Sequence, residues 1–236
     1  MKTVFINGSP KKKMSVSAHL MGMLRLLVRG KTVREQVRNQ ADHARVLDAI
    51  RDADNVVFSL PLYVDGVPSH MLAFMKEMEL FCKAQGIHPH VYVLSNGGFI
   101  EGSQNKPLMQ VFERFCQRSG LHFAGGLGIG GGVMLNVLRI LLLVYVGLFA
   151  LRALTGDPAA AAISFAKQLG IILFFHLGVL FYGIPMGIGV NKGKECGVHY
   201  TRVMMPSFLF ILVADVFFIL ISIFKGGIFR GWLAKK

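Results

Sequence analysis

Three apolar stretches of about 20 residues each, 135–154, 169–190 and 203–224, crowd the second half of this chain and limit what it can be. A helix of that length can cross a bilayer core of ~30 Å. The first stretch holds Arg139 and Arg152 near its ends, the second one His and one Pro, the third one Asp. The first reads either as a span with snorkelling arginines or as a very apolar helix covering a sheet. Two or three spans are therefore expected. With the N-terminal part inside, two spans return Lys225, Arg230, Lys235 and Lys236 to the cytoplasm, as the positive-inside rule prefers. Two fit the charges better, three the hydropathy.

Composition agrees with a division of the chain. The hydrophobic fraction is 53% and mean hydropathy +0.52, high for a soluble protein with 17% charged residues. Residues 1–133 hold 16 Lys/Arg against 10 Asp/Glu, and residues 134–236 hold 10 against 3. The first part reads as a globular domain and the second as a helical membrane region, so membrane lipid is an expected partner. The overall charge of +13 does not point to nucleic acid. The tail's cations flank apolar runs, where lipid headgroups lie. Those of the first part are scattered over helix faces, Lys11, Lys12 and Lys13 excepted. Cys82, Cys116 and Cys196 stand far apart and form no CxxC, so no metal or iron–sulfur site is expected. The opening MKTVFINGSP has too short an apolar run for a signal peptide, which keeps the first domain in the cytoplasm.

Within residues 1–133, continuous apolar runs alternate with helix-period segments. Strands are expected at 3–6, 32–37, 55–60, 91–95 and 122–129, and helices at 15–29, 42–52, 68–83 and 107–119. In the first helix Val16, Leu20, Met23, Leu24 and Leu27 share one face. Apolar inner strands alternating with amphipathic helices imply an α/β domain with a parallel sheet covered on both faces. Five strands fit a doubly wound order 2-1-3-4-5, which binds ligands at the carboxyl edge beside the switch point between strands 1 and 3.

Three loops fall on that edge. The first, Gly8 to Ser17, brings Ser9, Ser15 and Ser17, backbone amides and a helix N-terminus to one place, the donor set a phosphate monoester needs. The second, Pro61-Leu62-Tyr63-Val64-Asp65-Gly66-Val67-Pro68, sets an aromatic and apolar neighbours in a Pro/Gly turn suited to a flat heterocycle. The third, Ser95-Asn96-Gly97-Gly98-Phe99, offers flexible backbone beside another aromatic. Together they are far more specific than any one of them.

These motifs (NGSPKKKMSVS, SLPLYVDGVPSHM, LSNGGFIEG and AGGLGIGGG) resemble the NAD(P)H-dependent FMN reductase and flavodoxin-like oxidoreductase family over roughly residues 1–133. The resemblance implies a flavodoxin-like fold, FMN as cofactor and NAD(P)H as electron donor. It implies that Ser9, Pro10, Lys11, Ser15, Val16 and Ser17 hold the FMN phosphate. Pro61, Leu62, Tyr63, Val64 and Asp65 would then pack the isoalloxazine, and Asn96, Gly97, Gly98 and Phe99 close its other side. The chain departs from the family in its three lysines, in SVS where SNT is common, and in its apolar C-terminal region. The cysteine cluster of the iron–sulfur flavoproteins is absent.

Two further patterns have a reading. Gly126 to Gly131 matches GxGxxG but opens onto a lipid-like helix with no acidic partner at the right distance, so a strand end is expected there, not a second nucleotide site. His176 and Asp215, at similar depth in the last two apolar segments, are expected to hydrogen-bond to each other, as structural glue or in a quinone or proton site.

The function expected is an FMN-dependent NAD(P)H oxidoreductase, quinone- or flavin-reductase-like, anchored at the cytoplasmic face of a membrane. Its partners would be lipid, a small-molecule electron acceptor such as a quinone, and a second copy in a homodimer. Flavin chemistry requires no catalytic acid or base. The alternative is a non-enzymatic electron carrier, or a membrane adaptor or scaffold with a degenerate flavin site.

Overall fold

The computed structural model describes residues 1–12, 14–224 and 227. Lys13 and the C-terminal cations Lys225, Arg230, Lys235 and Lys236 lie outside them. Two compact units are present, Met1–Met204 and Met205–Lys236.

The first unit carries the expected alternation: β1 (Lys2–Asn7), α1 (Val16–Leu27), β2 (Lys31–Gln36), α2 (His43–Ile50), β3 (Asn55–Pro61), α3 (Ser69–Gln85), β4 (His90–Asn96), α4 (Lys106–Ser119) and β5 (His122–Gly130). The inner strands β1, β3 and β4 form where β-branched, aromatic and aliphatic residues run together, at Val4–Ile6, Val56–Phe58 and Val91–Leu94. In β1 and β3 every apolar side chain but that of Pro61 at the rim is buried, as a sheet covered on both faces requires. The helices close over them through Met71, Phe74, Met78, Leu108 and Phe112, all fully buried. Helices α3 and α4 end on Gly86 and Gly120 in the left-handed conformation (φ 64° and 70°), where a side chain would be strained.

The expected five-stranded sheet is corrected to six strands, all parallel, in the order β2-β1-β3-β4-β5-β6. The sixth, β6 (Gly197–Arg202), pairs with β5 from Gly125↔Gly197 to Gly130↔Arg202. Its sequence, GVHYTR, has one aliphatic residue and sits between two long apolar runs, so neither period nor composition marks it. A strand at an edge needs less hydrophobicity than an inner one, because one of its sides is open.

The apolar region therefore does not simply follow the sheet. Helices α5 (Gly132–Thr155) and α6 (Pro158–Lys192) are the crossover that carries the chain from β5 to its parallel neighbour β6. The division expected after residue 133 falls inside the first unit. Both helices are long and apolar enough to cross a membrane, yet only 17% and 28% of their most apolar windows are buried. The burial is concentrated at the domain ends: Met134, Leu135 and Leu138 in α5, and Ile172, His176, Val179, Met186 and Val190 in α6.

His176 is 6% exposed. Its Nδ1 lies 2.8 Å from the Ile172 carbonyl oxygen one turn back, and its ring meets His19 of α1 edge-on at 6.0 Å. Asp215, the partner expected from the sequence, belongs to the second unit. That unit contains α7 (Ser207–Phe224), whose Phe208, Ile211, Leu212, Val216, Phe218 and Ile219 are exposed.

Candidate functional site at the carboxyl rim

The switch point between β1 and β3 is built by short-range chemistry. Strand β1 ends at Asn7, whose side-chain oxygen accepts from the Ser9 amide at 3.0 Å, the local turn that Asn favours. The Gly8 amide donates to Ser59 O of β3 at 2.8 Å. A Cβ on Gly8 would sit 2.9 Å from Met71 Sδ, so glycine is needed there for close packing. Ser9 Oγ accepts from the Lys11 amide at 3.4 Å, and Gln36 Nε2 of β2 donates to the carbonyl oxygens of Ser9 and Lys11. His70 Nε2 lies 3.1 Å from Gly8 O and braces the loop from α3.

The chain then turns into α1. Ser15 is the N-cap, its hydroxyl accepting from the Ala18 amide at 3.1 Å. A helix leaves its first amides without partners inside the helix, so those of Val16 and Ser17 lie beside the Ser15 hydroxyl with the positive end of the dipole behind them. About 420 Å³ of cavity opens beside this loop on its β2 side, walled by Lys11, Lys12, Ser15, Arg34 and Arg38 and also by Glu35 and Asp42. Hydroxyls, helix N-terminal amides and a lysine fit a phosphate monoester.

The second loop is a tight turn: Tyr63 and Gly66 exchange both backbone hydrogen bonds at 3.1 and 3.0 Å, and Val64 and Asp65 between them take φ of 47° and 56°. Paired positive φ values define the turn that Asn-Gly sequences favour. Val64 is an unfavourable occupant, because its branched Cβ crowds the left-handed region. It is fully exposed, and Tyr63 is 43% exposed.

The third loop locks the others together. Asn96 O accepts from the Leu62 amide at 2.9 Å, and Asn96 Nδ2 donates to Ser17 Oγ at 3.0 Å and Leu60 O at 3.2 Å. Ser59 Oγ donates to Ser17 O at 2.8 Å. Behind this loop Ser95 Oγ donates to Asn105 Oδ1 at 2.7 Å. The Gly97 amide binds Ile129 O and the Gly132 amide binds Gly97 O, each at 2.9 Å, so the start of α5 is part of the rim.

The structure thus brings the expected residues of all three loops to one edge, with different duties. Ser9, Ser15, Ser17 and Asn96 are buried, while Pro10, Lys11, Asp65, Gly98 and Phe99 are exposed. Val16, Pro61 and Leu62 are half-buried and Gly97 is buried. The Asn96 side chain, expected to face a bound ring, is committed to Ser17 and Leu60. Asn7, Gln36, Ser59, His70 and Asn105 were not anticipated as supports. Only Asn7 carried a local signal, as an Asx-turn residue at a strand end.

No protein-family model and no curated protein matches the chain. Among solved structures it is similar to the Trp repressor binding protein from Bacillus subtilis, at 18% identity over 53% of this chain and 85% of that one, with a TM-score of 0.44. It is also similar to a WrbA-like flavodoxin from Agrobacterium tumefaciens, at 11% identity over 51% of this chain and 74% of that one, TM-score 0.44. A third likeness is to an azoreductase from Bacillus anthracis, at 11% identity over 73% of this chain and 98% of that one, TM-score 0.42.

Proposed function

We propose that the carboxyl rim binds FMN and that the protein is an NAD(P)H-dependent oxidoreductase, quinone- or flavin-reductase-like, held at the cytoplasmic face of a membrane. The observation that carries this reading is the convergence at the β1/β3 switch point of a capped helix N-terminus, buried serine hydroxyls and two aromatic-bearing turns tied together through Asn96.

In this reading the Ser9 and Ser15 hydroxyls and the Val16 and Ser17 amides grip the phosphate, and Lys11 adds charge where it stays solvated. Pro61, Leu62 and Tyr63 present an apolar surface to one side of the ring. Backbone groups of the Val64–Asp65 turn reach its polar edge, and Gly97, Gly98 and Phe99 border the other side. Ser17 and Asn96 hold these walls at fixed spacing from within. When bound, FMN supplies hydride acceptance from the nicotinamide and transfer onward to the acceptor, so the protein's work is binding, orientation and exclusion of water. The exposed apolar faces of α5 and α6 support attachment to lipid.

The test is the absorption spectrum of the full-length, detergent-purified protein before and after NAD(P)H. A flavin spectrum that bleaches with NAD(P)H and recovers with a quinone or free flavin is expected. A colourless protein that takes up no added FMN would overturn the proposal. A yellow protein that NAD(P)H does not bleach would leave an electron carrier in its place.

A further inference from the structure

Because β5 and β6 are adjacent parallel strands of one sheet, the chain from Gly132 to Lys192 must leave and return to the same side of any membrane. The two helices run back along each other: Phe149 stacks near Phe165 at 5.2 Å between centroids, and Arg152 Nη1 reaches Ser164 Oγ at 3.5 Å. The root of this hairpin is the carboxyl rim. The Gly132 amide binds Gly97 O, and Asn136 Nδ2 donates to Met14 O at 3.3 Å.

One side of α6 is held by the domain over its lower part. At the level of the rim, Phe175 O accepts from the Met204 amide and His176 packs on His19. At the opposite edge of the sheet, Val190 O accepts from Asn55 Nδ2 at the start of β3. Fourteen residues of helix separate His176 from Val190, ~21 Å, which matches a strand of six or seven residues at ~3.3 Å each. This lower half of α6 covers the sheet with one face and exposes Leu177, Phe181, Ile184 and Ile188 on the other. Above the rim α6 projects by ~27 Å, and α5 beyond Leu138 by ~25 Å, at 1.5 Å per residue.

That projection, residues 139–155 of α5 and 158–175 of α6, lies at the short limit of what crosses. A bilayer measures ~40–45 Å with its headgroups and ~30 Å without them, so a hairpin rooted at one surface ends inside the hydrocarbon. The apolar run of α5 between Arg139 and Arg152 is Ile140 to Leu151, a length typical of re-entrant or core segments and not of spans. A core helix is excluded by exposure: Leu143 is 61% exposed and Leu151 57%.

Near the tip, Arg152 and Asp157 are exposed; Arg152 Nη1 has one contact, to Ser164 Oγ at 3.5 Å, and Asp157 Oδ1 accepts from the Ala159 amide at 2.8 Å, the N-cap of α6. Lys167, exposed on α6 nearer the rim, has a four-carbon stem that lets its ammonium reach toward headgroups. Around the root, Lys11, Lys12 and Arg139 supply the positive charge that anionic headgroups attract, while Arg202 pairs with Glu101 at 3.6 Å.

We infer that the α5–α6 hairpin is a re-entrant lipid anchor: it enters a bilayer from the side of the sheet, turns at Gly156 inside the hydrocarbon and returns without crossing. The inference rests on the membrane part of the proposed function and sharpens it, since it sets the rim with its three loops against the lipid surface.

The test places single cysteines in the full chain carrying Cys196→Ser: Thr155→Cys or Ala160→Cys at the tip, and Gln117→Cys on the exposed face of α4. Labelling with a membrane-impermeant maleimide is compared in intact cells, inverted vesicles and detergent, and the membranes are washed with alkaline carbonate. The expected result is that Gln117→Cys labels in inverted vesicles, both tip cysteines label only after detergent, and the protein stays in the carbonate pellet. Tip labelling from the side opposite Gln117→Cys would show a crossing and overturn the inference while leaving the membrane reading intact. Tip labelling from the same side as Gln117→Cys would also overturn it, and release by carbonate would then remove the membrane reading as well.

Discussion

The side-chain amide of Asn96, at the end of β4, donates to the hydroxyl of Ser17, in the first turn of α1, across 3.0 Å in the buried floor of the rim. The same amide donates to Leu60 O, so one side chain ties the phosphate-type loop to the two turns that border the proposed ring site. Replacing Asn96 by Ala leaves a buried carbonyl and a buried hydroxyl without this donor, a loss of about 1–3 kcal/mol. Asn96→Ala should lower the melting temperature and weaken FMN uptake, read from the quenching of added flavin. Asn96→Asp keeps the size but cannot donate when ionised, and should weaken uptake as well.

Val64 occupies a left-handed position in the Tyr63–Gly66 turn with its side chain in solvent. A β-branched residue there is strained by roughly 1–3 kcal/mol. Val64→Asn and Val64→Gly should each raise the melting temperature of the FMN-free protein. An unchanged or lower value would show that the turn is not held in this conformation in solution.

Gly178 lets α6 lie directly on β6, since a Cβ at that position would collide with the Thr201 hydroxyl and lie 2.9 Å from Arg202 O. Gly178→Val should destabilise the domain by about 1–3 kcal/mol through overpacking. Leu154→Ser, near the hairpin tip, should leave domain stability unchanged. Equal tolerance of both changes would argue against docking of the lower half of α6 on the sheet.

Burial, with His176 and the Arg139 guanidinium nearby, lowers the pKa of His19 from 6.5 to about 4. The folded protein thus holds this ring neutral at pH values where the unfolded chain protonates it. The stabilisation is complete above pH 6.5, falls as pH drops from 6.5 to about 4, and levels off below that. With allowance for partial exposure, the loss is on the order of 1–3 kcal/mol. Thermal unfolding between pH 7.5 and 4.5 should show this decline, and His19→Gln should reduce it.

The sequence alone determined the alternation of β1 through β5 with α1 through α4, because each element's apolar period is a local property. Val4, Phe5 and Ile6 are buried in β1, and Leu20 and Leu24 of the expected helix face are buried in α1, where Met21 is buried in place of Met23 and Leu27 is exposed. It also marked the three rim loops, since Ser15 caps a helix, Gly and Pro punctuate turns, and parallel strands place all such turns on one edge. What the loops' side chains do was not legible: Asn96 faces Ser17 and Leu60 because residues 79 and 36 positions apart meet across the sheet. The tertiary structure alone decided the rest. Strand β6 has no hydrophobic signature of its own and exists through pairing with β5, and that pairing turns two segments that read as independent spans into one hairpin anchored at both ends. Hydropathy records what a segment avoids, which is water. Only the partners on either side of it decide whether it crosses a membrane, covers a sheet or does part of each.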